Sequence, residues 1–422
     1  MLGTGKARRL AVAAVSTALL ASATACSSGG SSSADGGKVT LSYGVWDTTQ
    51  VPAMKKIVAA FEKANPDITV KVQLTPYTQY FTKLQAAATG GQAPDVFWMN
   101  GPNFQLYASN GVIRPLTDLK TDTSVYPSSL VKLYRYKGVQ YGLPKDFDTV
   151  GLWYNKKLFK AAGVAYPTAS WTWSDFQQAA AKLSDPAKGV YGVGATLEGQ
   201  ENFYNTVFQA GGSIISADGK KSGYADAKTI KGLEFWTDLI SKKQSPNLKQ
   251  MTDTQPYAMF QSGKLAMFWG GSWDAAAFGS NAATKTDADV TVLPAGEKRA
   301  TVIHGLANVV SAHTAHVAEA EKFEAFLGSK QAADIEAATG TVIPAYNGTQ
   351  QAWVKAHPQY HLQSFLDELP YAVPLPSSAN TAAWNALELS NLTKAWNGTE
   401  STAAAARTLA TQMDAALAKE PK

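Results

Sequence analysis

Asp146 and Asp148 stand two residues apart in Leu143-Pro144-Lys145-Asp146-Phe147-Asp148, in a chain that also carries 11 Trp and 17 Tyr. Paired carboxyls near aromatic rings can work on a sugar in two ways. They can act as acid and base on a glycosidic bond, which requires that they flank it. Alternatively they can hold the sugar, accepting hydrogen bonds from adjacent hydroxyls while flat rings cover its apolar C–H faces. Residues two apart on an extended strand point to one face, and parallel neighbours flank a scissile bond awkwardly, so binding is the expected role and glycoside hydrolysis the enzyme alternative. A third chemistry uses many of the same residues: an aromatic cage with acidic neighbours that holds a cationic solute such as a betaine or polyamine.

Other residues with the right chemistry sit where loops are expected. Trp46-Asp47, the stretch Thr75 to Tyr77, and Asn100-Gly101 carry hydrogen-bonding or aromatic side chains. Trp273 closes Trp269-Gly270-Gly271-Ser272-Trp273, where glycines would let backbone approach a ligand and where an indole is hard to hide. Trp46, Trp98 and Trp269 could equally fill a core, since Trp is commonly buried. His304 could bond a hydroxyl or serve the structure, and Lys145 could be a cleft donor or a solvated charge. His313 with His316 and His357 with His361 have tempting spacings but lack further ligands, so no metal is expected. Gly192-Val193-Gly194 lacks the third glycine of a dinucleotide loop, because Leu197 takes its place, and no cofactor is expected.

The elements that must position these residues follow from periodicity. Val39, Leu41, Tyr43 and Val45 alternate as a strand; Val51, Met54, Ile57, Val58 and Phe61 keep helical spacing until Asn65-Pro66-Asp67. Ile68 to Leu74 alternates again, a helical stretch runs near Thr78 to Ala88, and Asp95 to Met99 reads as a buried strand. This β-α-β-α-β order is the signature of a parallel sheet flanked by helices, in which ligands sit beyond the carboxyl ends of the strands. Thr172 and Asp175 have capping-box spacing. Strands are expected at Lys264 to Trp269 and Asp289 to Leu293, a strand region at Val302 to Val310, and helices at Val317 to Leu327, Ala382 to Lys394 and Ser401 to Leu417.

The N-terminal end sets the compartment. Lys6, Arg8 and Arg9 precede an apolar run and then Ala23-Thr24-Ala25, which reads as a secretory signal over residues 1–25. Cys26, the only cysteine, excludes a disulfide framework. Ser27 to Gly37 has no large apolar residue and reads as a flexible tether. Removing residues 1–25 leaves 35 Lys+Arg against 33 Asp+Glu, so the basic excess is largely leader and nucleic acid is not an expected partner. The remaining body of about 385 residues is too large for one core.

Taken together, Phe61-Glu62-Lys63-Ala64-Asn65-Pro66-Asp67-Ile68, Ala93-Pro94-Asp95-Val96, Gly111-Val112-Ile113-Arg114-Pro115-Leu116, Tyr141-Gly142-Leu143-Pro144, Leu152-Trp153-Tyr154-Asn155 and Gly263-Lys264-Leu265-Ala266-Met267-Phe268-Trp269 resemble the extracellular solute-binding proteins of sugar ABC importers, the group that includes maltose-binding proteins. The resemblance covers essentially residues 38–420. It implies an α/β, two-lobed periplasmic-binding-protein-like fold of type II, each lobe a mainly parallel sheet flanked by helices, joined by a hinge crossed near Phe147 to Val150, Ala300 to Val302 and Thr341 to Tyr346. Residues 38–147 and 301–343 would form lobe 1, and residues 148–300 and 344–422 lobe 2. Sugar would bind between the lobes, and their closure would be read by membrane permease subunits. On this resemblance Trp273 matches a sugar-stacking aromatic, with Trp384 and Phe203 near two others. The expected ligand set is Trp46, Asp47, Tyr77, Asn100, Asp146, Phe203, Trp269, Gly271, Trp273, His304 and Trp384. Cys26 resembles the lipidated residue of a bacterial lipobox, which implies residues 26–37 as anchor and tether of a monomer on the outer face of the cell membrane. The resemblance implies no enzyme activity.

Overall fold

The computed structural model describes residues 38–117, 119 and 122–420; the expected leader, Cys26 and the tether lie outside the described residues. Strand β1 (Val39–Val45), helix α1 (Val51–Ala64), strand β2 (Ile68–Leu74), helix α2 (Tyr77–Thr89), strand β3 (Val96–Asn100) and helix α3 (Gly101–Ser109) follow one another as the periodicity predicts. Pro52 sits near the start of α1, where a missing N–H costs nothing, and Asn65 ends the helix.

In the first sheet β1 lies between β2 and β3, parallel to both, and Leu306–Val310 then runs antiparallel to β3 and to Gly142–Pro144. In the second sheet, Val150–Asn155 is antiparallel to Leu265–Gly271 and to Ala288–Thr291, and only Tyr191–Val193 pairs in parallel. Both sheets are therefore mixed, which corrects the expectation of mainly parallel sheets. The reason is chain direction. β1 and β3 end at the loops carrying Trp46-Asp47 and Asn100, whereas Leu306–Val310 and Val150–Asn155 each begin where the chain has just changed sheets, and so run the opposite way.

The junction between the sheets is built from short pairings. Asp146–Phe147 pairs with Ile343–Pro344, and Asp148 bridges His304. The expected strand at Val302 to Val310 is broken by His304-Gly305 into Thr301–Ile303 and Leu306–Val310. A Cβ at Gly305 would stand 2.2 Å from the Asp146 carbonyl oxygen, so only glycine lets the two crossing segments press together.

Both faces of each sheet are covered, so strand residues alternate between two buried sides. One apolar cluster runs through the whole junction, joining Tyr43, Trp98 and Phe323 beside the first sheet to Phe147 and Ile343, and on to Trp153, Phe278 and Phe365 beside the second. Separate clusters cover the outer faces, one around Phe97, Met99, Phe104 and Tyr134, the other around Trp236, Trp269 and Trp384. The Thr172–Asp175 capping box is present on the helix Trp173–Leu183.

Glu324, on the helix Val317–Leu327, is wholly buried under the first sheet and accepts a hydrogen bond from the Leu143 N–H at 3.1 Å. Burial pushes its carboxyl from 4.5 to about 8. The native state then holds a proton that the unfolded chain has released, so stability falls as pH rises between about 4.5 and 8. Glu324→Gln is expected to flatten that decline by up to roughly 1 kcal/mol per pH unit, checked by urea unfolding at pH 5, 6.5 and 8.

Candidate functional site

Two adjoining cavities open where loops from the two sheets face one another. The smaller, about 360 Å³, is lined by Tyr77, Pro102 and Asn103 from the first turns of α2 and α3 and by Glu198, Gln200, Phe203, Tyr204, Asn385 and Glu388 from the second sheet's side. The larger, about 480 Å³, sets Asp47 and Thr49 across from Thr196, Glu201, Tyr257, Phe268, Trp273 and Asp274. Both volumes lie in the range of small-ligand sites. The mixture of ring faces, amides and carboxyls suits a polyol with apolar faces.

Of the expected residues, Asp47, Tyr77, Phe203 and Trp273 line these cavities. Asp47 is held ready by its own loop: Oδ1 accepts from the Thr49 N–H and hydroxyl, both at 2.8 Å, and Oδ2 from Gln50 Nε2 at 2.9 Å. Trp273 is half-buried and lies over Gly271, where a Cβ would stand 2.1 Å from the indole. Gly271 thus serves by making room for Trp273, a different reason from the expected backbone approach to ligand.

The others are placed differently. Trp269 is enclosed in the core, with ring centroids 4.9 Å from Trp236 and 5.8 Å from Phe176. Trp384 is equally enclosed and donates to Ser378 Oγ at 2.8 Å. Both are corrections: these indoles fill the space beneath helices, as bulky rings usually do, and line neither cavity. Trp46 packs in an aromatic group with Tyr77, Tyr80, Phe81 and Trp98. Asn100 is buried, caps α3 by accepting from the Asn103 N–H at 3.2 Å, and donates to the Tyr77 hydroxyl at 3.3 Å.

Asp146 and His304 belong to the junction. Asp146 Oδ2 lies 2.7 Å from Lys145 Nζ, and its Oδ1 accepts from the Leu306 N–H at 2.8 Å. Lys145 also donates to Glu336 and, at 2.7 Å, to Gln50 Oε1, and sits 4.7 Å from the Trp98 ring centroid. Burial works to lower the Lys145 pKa, but Asp146 and Glu336 outweigh it and hold it above its usual value. His304 Nε2 accepts from the Gly101 N–H at 3.2 Å, and its Nδ1 lies 3.7 Å from Asp148. Asp148 takes a further bond from Gln200 at 2.9 Å. Asp146 and Asp148 are therefore each bound to different partners, and neither lines either of these two cavities.

Sequence reasoning missed the segment Glu198-Gly199-Gln200-Glu201, which forms an irregular helical turn at Gly199–Phe203. Glu198 caps it, accepting from the Gln200 and Glu201 N–H groups at 3.1 and 2.6 Å. It also missed Glu388, buried and hydrogen-bonded by the hydroxyls of Tyr204 and Tyr224; burial lifts it to about 8. The acidic spacing at Glu198 and Glu201 was the one available signal. Among the described residues, no three His, Cys, Asp or Glu side chains gather as metal ligands, and His361 is instead paired with Asp289 at 2.7 Å.

A model of the bacterial extracellular solute-binding proteins matches residues 46–334. A binding protein of Brucella abortus is 26% identical over 250 residues, covering 56% of this chain and 58% of that one, so the chain spans less than two thirds of that relative's length. A diacetylchitobiose-binding protein of Streptomyces coelicolor is 27% identical over 304 residues, 68% of this chain and 69% of its own. An ABC substrate-binding protein of Listeria monocytogenes, solved in complex with cycloalternan, superposes with a TM-score of 0.84 at 29% identity, covering 91% of this chain and all of that one.

Removing the buried cation is expected to be costly, because it leaves two buried carboxyls without a counter-charge. Lys145→Met should lose roughly 3–5 kcal/mol in urea unfolding, and adding Glu336→Gln should restore part of the loss.

Proposed function

The chain belongs to the family of bacterial extracellular solute-binding proteins, and from that membership we propose that it captures a sugar in the cleft between its two sheets and hands it to the membrane permease of an ABC importer. A single observation carries the reading: two cavities, lined in turn by the consecutive residues Gln200 and Glu201, draw Asp47, Tyr77 and Asn103 from one side and Gln200, Tyr257 and Trp273 from the other. A ligand bound to both sides favours their approach, because the closed arrangement alone offers it all of these contacts. The permease then reads closure as occupancy. The diacetylchitobiose and cycloalternan named for two of the relatives support a carbohydrate as the ligand class.

The family is one of binding proteins, and catalysis is no part of this proposal. The lobes are assigned as residues 38–147 with 301–343 and residues 148–300 with 344–422, hinged at the Asp146–Phe147 and Ile343–Pro344 pairing. Cys26 is assigned as the lipidated residue, with residues 26–37 as the tether that holds a monomeric body clear of the outer membrane face. Among the described residues, no helix is long and apolar enough to cross a membrane.

Trp273 is assigned as the stacking platform and Asp47 as an acceptor for ring hydroxyls. Calorimetric titration of the purified protein with mono- and oligosaccharides should find a sugar that binds and is recovered unchanged. Trp273→Ala should weaken it at least tenfold, about 1.4 kcal/mol, with the thermal midpoint little altered. A sugar that is cleaved, or one bound equally well by the variant, would count against the reading.

A further inference from the structure

A group of lysines stands at the end of the second sheet that lies away from the two cavities. Val150–Asn155 leaves the junction at Val150, and Leu265–Gly271 runs back beside it, with Met267 opposite Tyr154 and Gly271 opposite Val150. The second strand leads on to Trp273 at the larger cavity, so the turn after Asn155 is at the other end, about 20 Å along the strands. There Lys156, Lys157 and Lys160 of the helix Lys156–Ala161 line a depression of about 590 Å³ together with Tyr166 and Asp287. Two more exposed lysines flank it. Lys285 shares the short helix Thr284–Asp287 with Asp287, and Lys264 follows Gly263, where a Cβ would stand 3.9 Å from Asn155 Nδ2.

Five lysines against Asp287 exceed the excess of two that the whole chain carries once residues 1–25 are set aside, so the positive charge of the body is concentrated here. Two further carboxyls on this side are already engaged, Asp289 by Tyr154 and His361 and Asp185 by Lys188. Among the described residues, none of the five lysines forms an ion pair, and Lys264 Nζ reaches only the Lys188 carbonyl oxygen, at 3.4 Å. An ordinary solvated charge run has no aromatic at its centre. Here Tyr166 is 42% exposed, yet its ring is fixed 5.6 Å from that of Tyr154 and its hydroxyl donates to the Lys156 carbonyl at 3.4 Å.

We propose that this end of the second sheet is a docking surface for a bilayer of anionic phospholipid, with Lys156, Lys157 and Lys160 against the headgroup phosphates and Tyr166 at headgroup level. Lysines are point charges on flexible stems, which suit a mobile array of phosphates; a single fixed anion is better held by the rigid fork of arginine, and the depression has none. An amphipathic ring beside basic residues matches the boundary between headgroup and acyl chain. The tether assigned above spaces the body from its anchor without fixing its orientation, and its twelve residues span at most about 40 Å, so headgroups are within reach. Docking by this end orients the body and leaves the cavities free.

The test is co-sedimentation of the purified protein, carrying Cys26→Ser so that no acyl chain contributes, with vesicles of phosphatidylcholine alone or with one third phosphatidylglycerol. Partition onto the anionic vesicles is expected to be at least tenfold stronger at low salt and to fall steeply in high salt. The triple change Lys156→Glu, Lys157→Glu, Lys160→Glu should abolish it. The same change of net charge on exposed positions of α1, Lys55→Glu, Lys56→Glu, Lys63→Glu, should leave most of it, and a thermal melt of each variant reports folding. Equal loss in the two triple variants would show attraction by net charge alone and overturn the proposal, as would equal partition onto both kinds of vesicle. Retention on immobilised polyglutamate without binding to the anionic vesicles would overturn it in favour of an acidic protein partner. Sugar titrations are expected to be the same in all of these variants, so the outcome leaves the sugar reading untouched.

Discussion

A buried ammonium at the crossing point is the constraint on which the rest of the molecule depends. Lys145 is 6% exposed and joins groups from three separate stretches: Gln50 at the start of α1, Asp146 on the crossing strand, and Glu336 on the helix Lys330–Ala337. Two carboxyls and one ammonium cannot be buried singly without a large desolvation cost, but together they are tolerable when every remaining site is hydrogen-bonded. Oδ1 of Asp146 is satisfied by the Leu306 N–H. The triad thus fixes which strand leaves one sheet and which returns to it. Gln50, its third partner, also donates to Asp47, so the same cation holds a cavity-lining loop.

Strand direction follows from that crossing. Strands that run toward the junction end in loops, and those loops gather on one side; strands that leave it run antiparallel and contribute no loop there. The cleft therefore draws Asp47, Tyr77 and Asn103 from one sheet and Trp273 from the end of the strand Leu265–Gly271 in the other. The apolar cluster that passes through the junction makes the two sheets neighbours without a gap. The pairing of Asp146–Phe147 with Ile343–Pro344 is only two residues long, and Asp148 and His304 add a single bridge beside it.

Within the cleft, chemistry is divided by position. Rings with half-exposed faces, Trp273 and Tyr257, offer surface to apolar C–H groups, while carboxyls held by their own loops offer fixed acceptors. Asp47 and Glu198 are oriented before any ligand arrives, because backbone N–H groups already hold one or both of their oxygens. Such pre-orientation lowers the entropy lost on binding.

The sequence by itself determined the alternation of strands and helices, the capping box at Thr172 and Asp175, and the loop positions of Asp47 and Trp273, because each depends on neighbours within a few residues. The family could also be identified from short motifs in fixed order, confirmed by the match over residues 46–334. Tertiary structure alone decided which aromatics line the cavities. Trp269 and Trp273 are four apart, yet one is locked against Trp236 and the other lines the cavity, because the chain turns from strand to helix between them. Glu388, far along the chain from the rest of the site, reaches it only because the helix Thr381–Trp396 packs beside Tyr204 and Tyr224. Asp146 looked like a ligand group because an acidic residue before a strand is as apt to face solvent as a buried lysine, and only the long-range approach of Glu336 and Leu306 settles which.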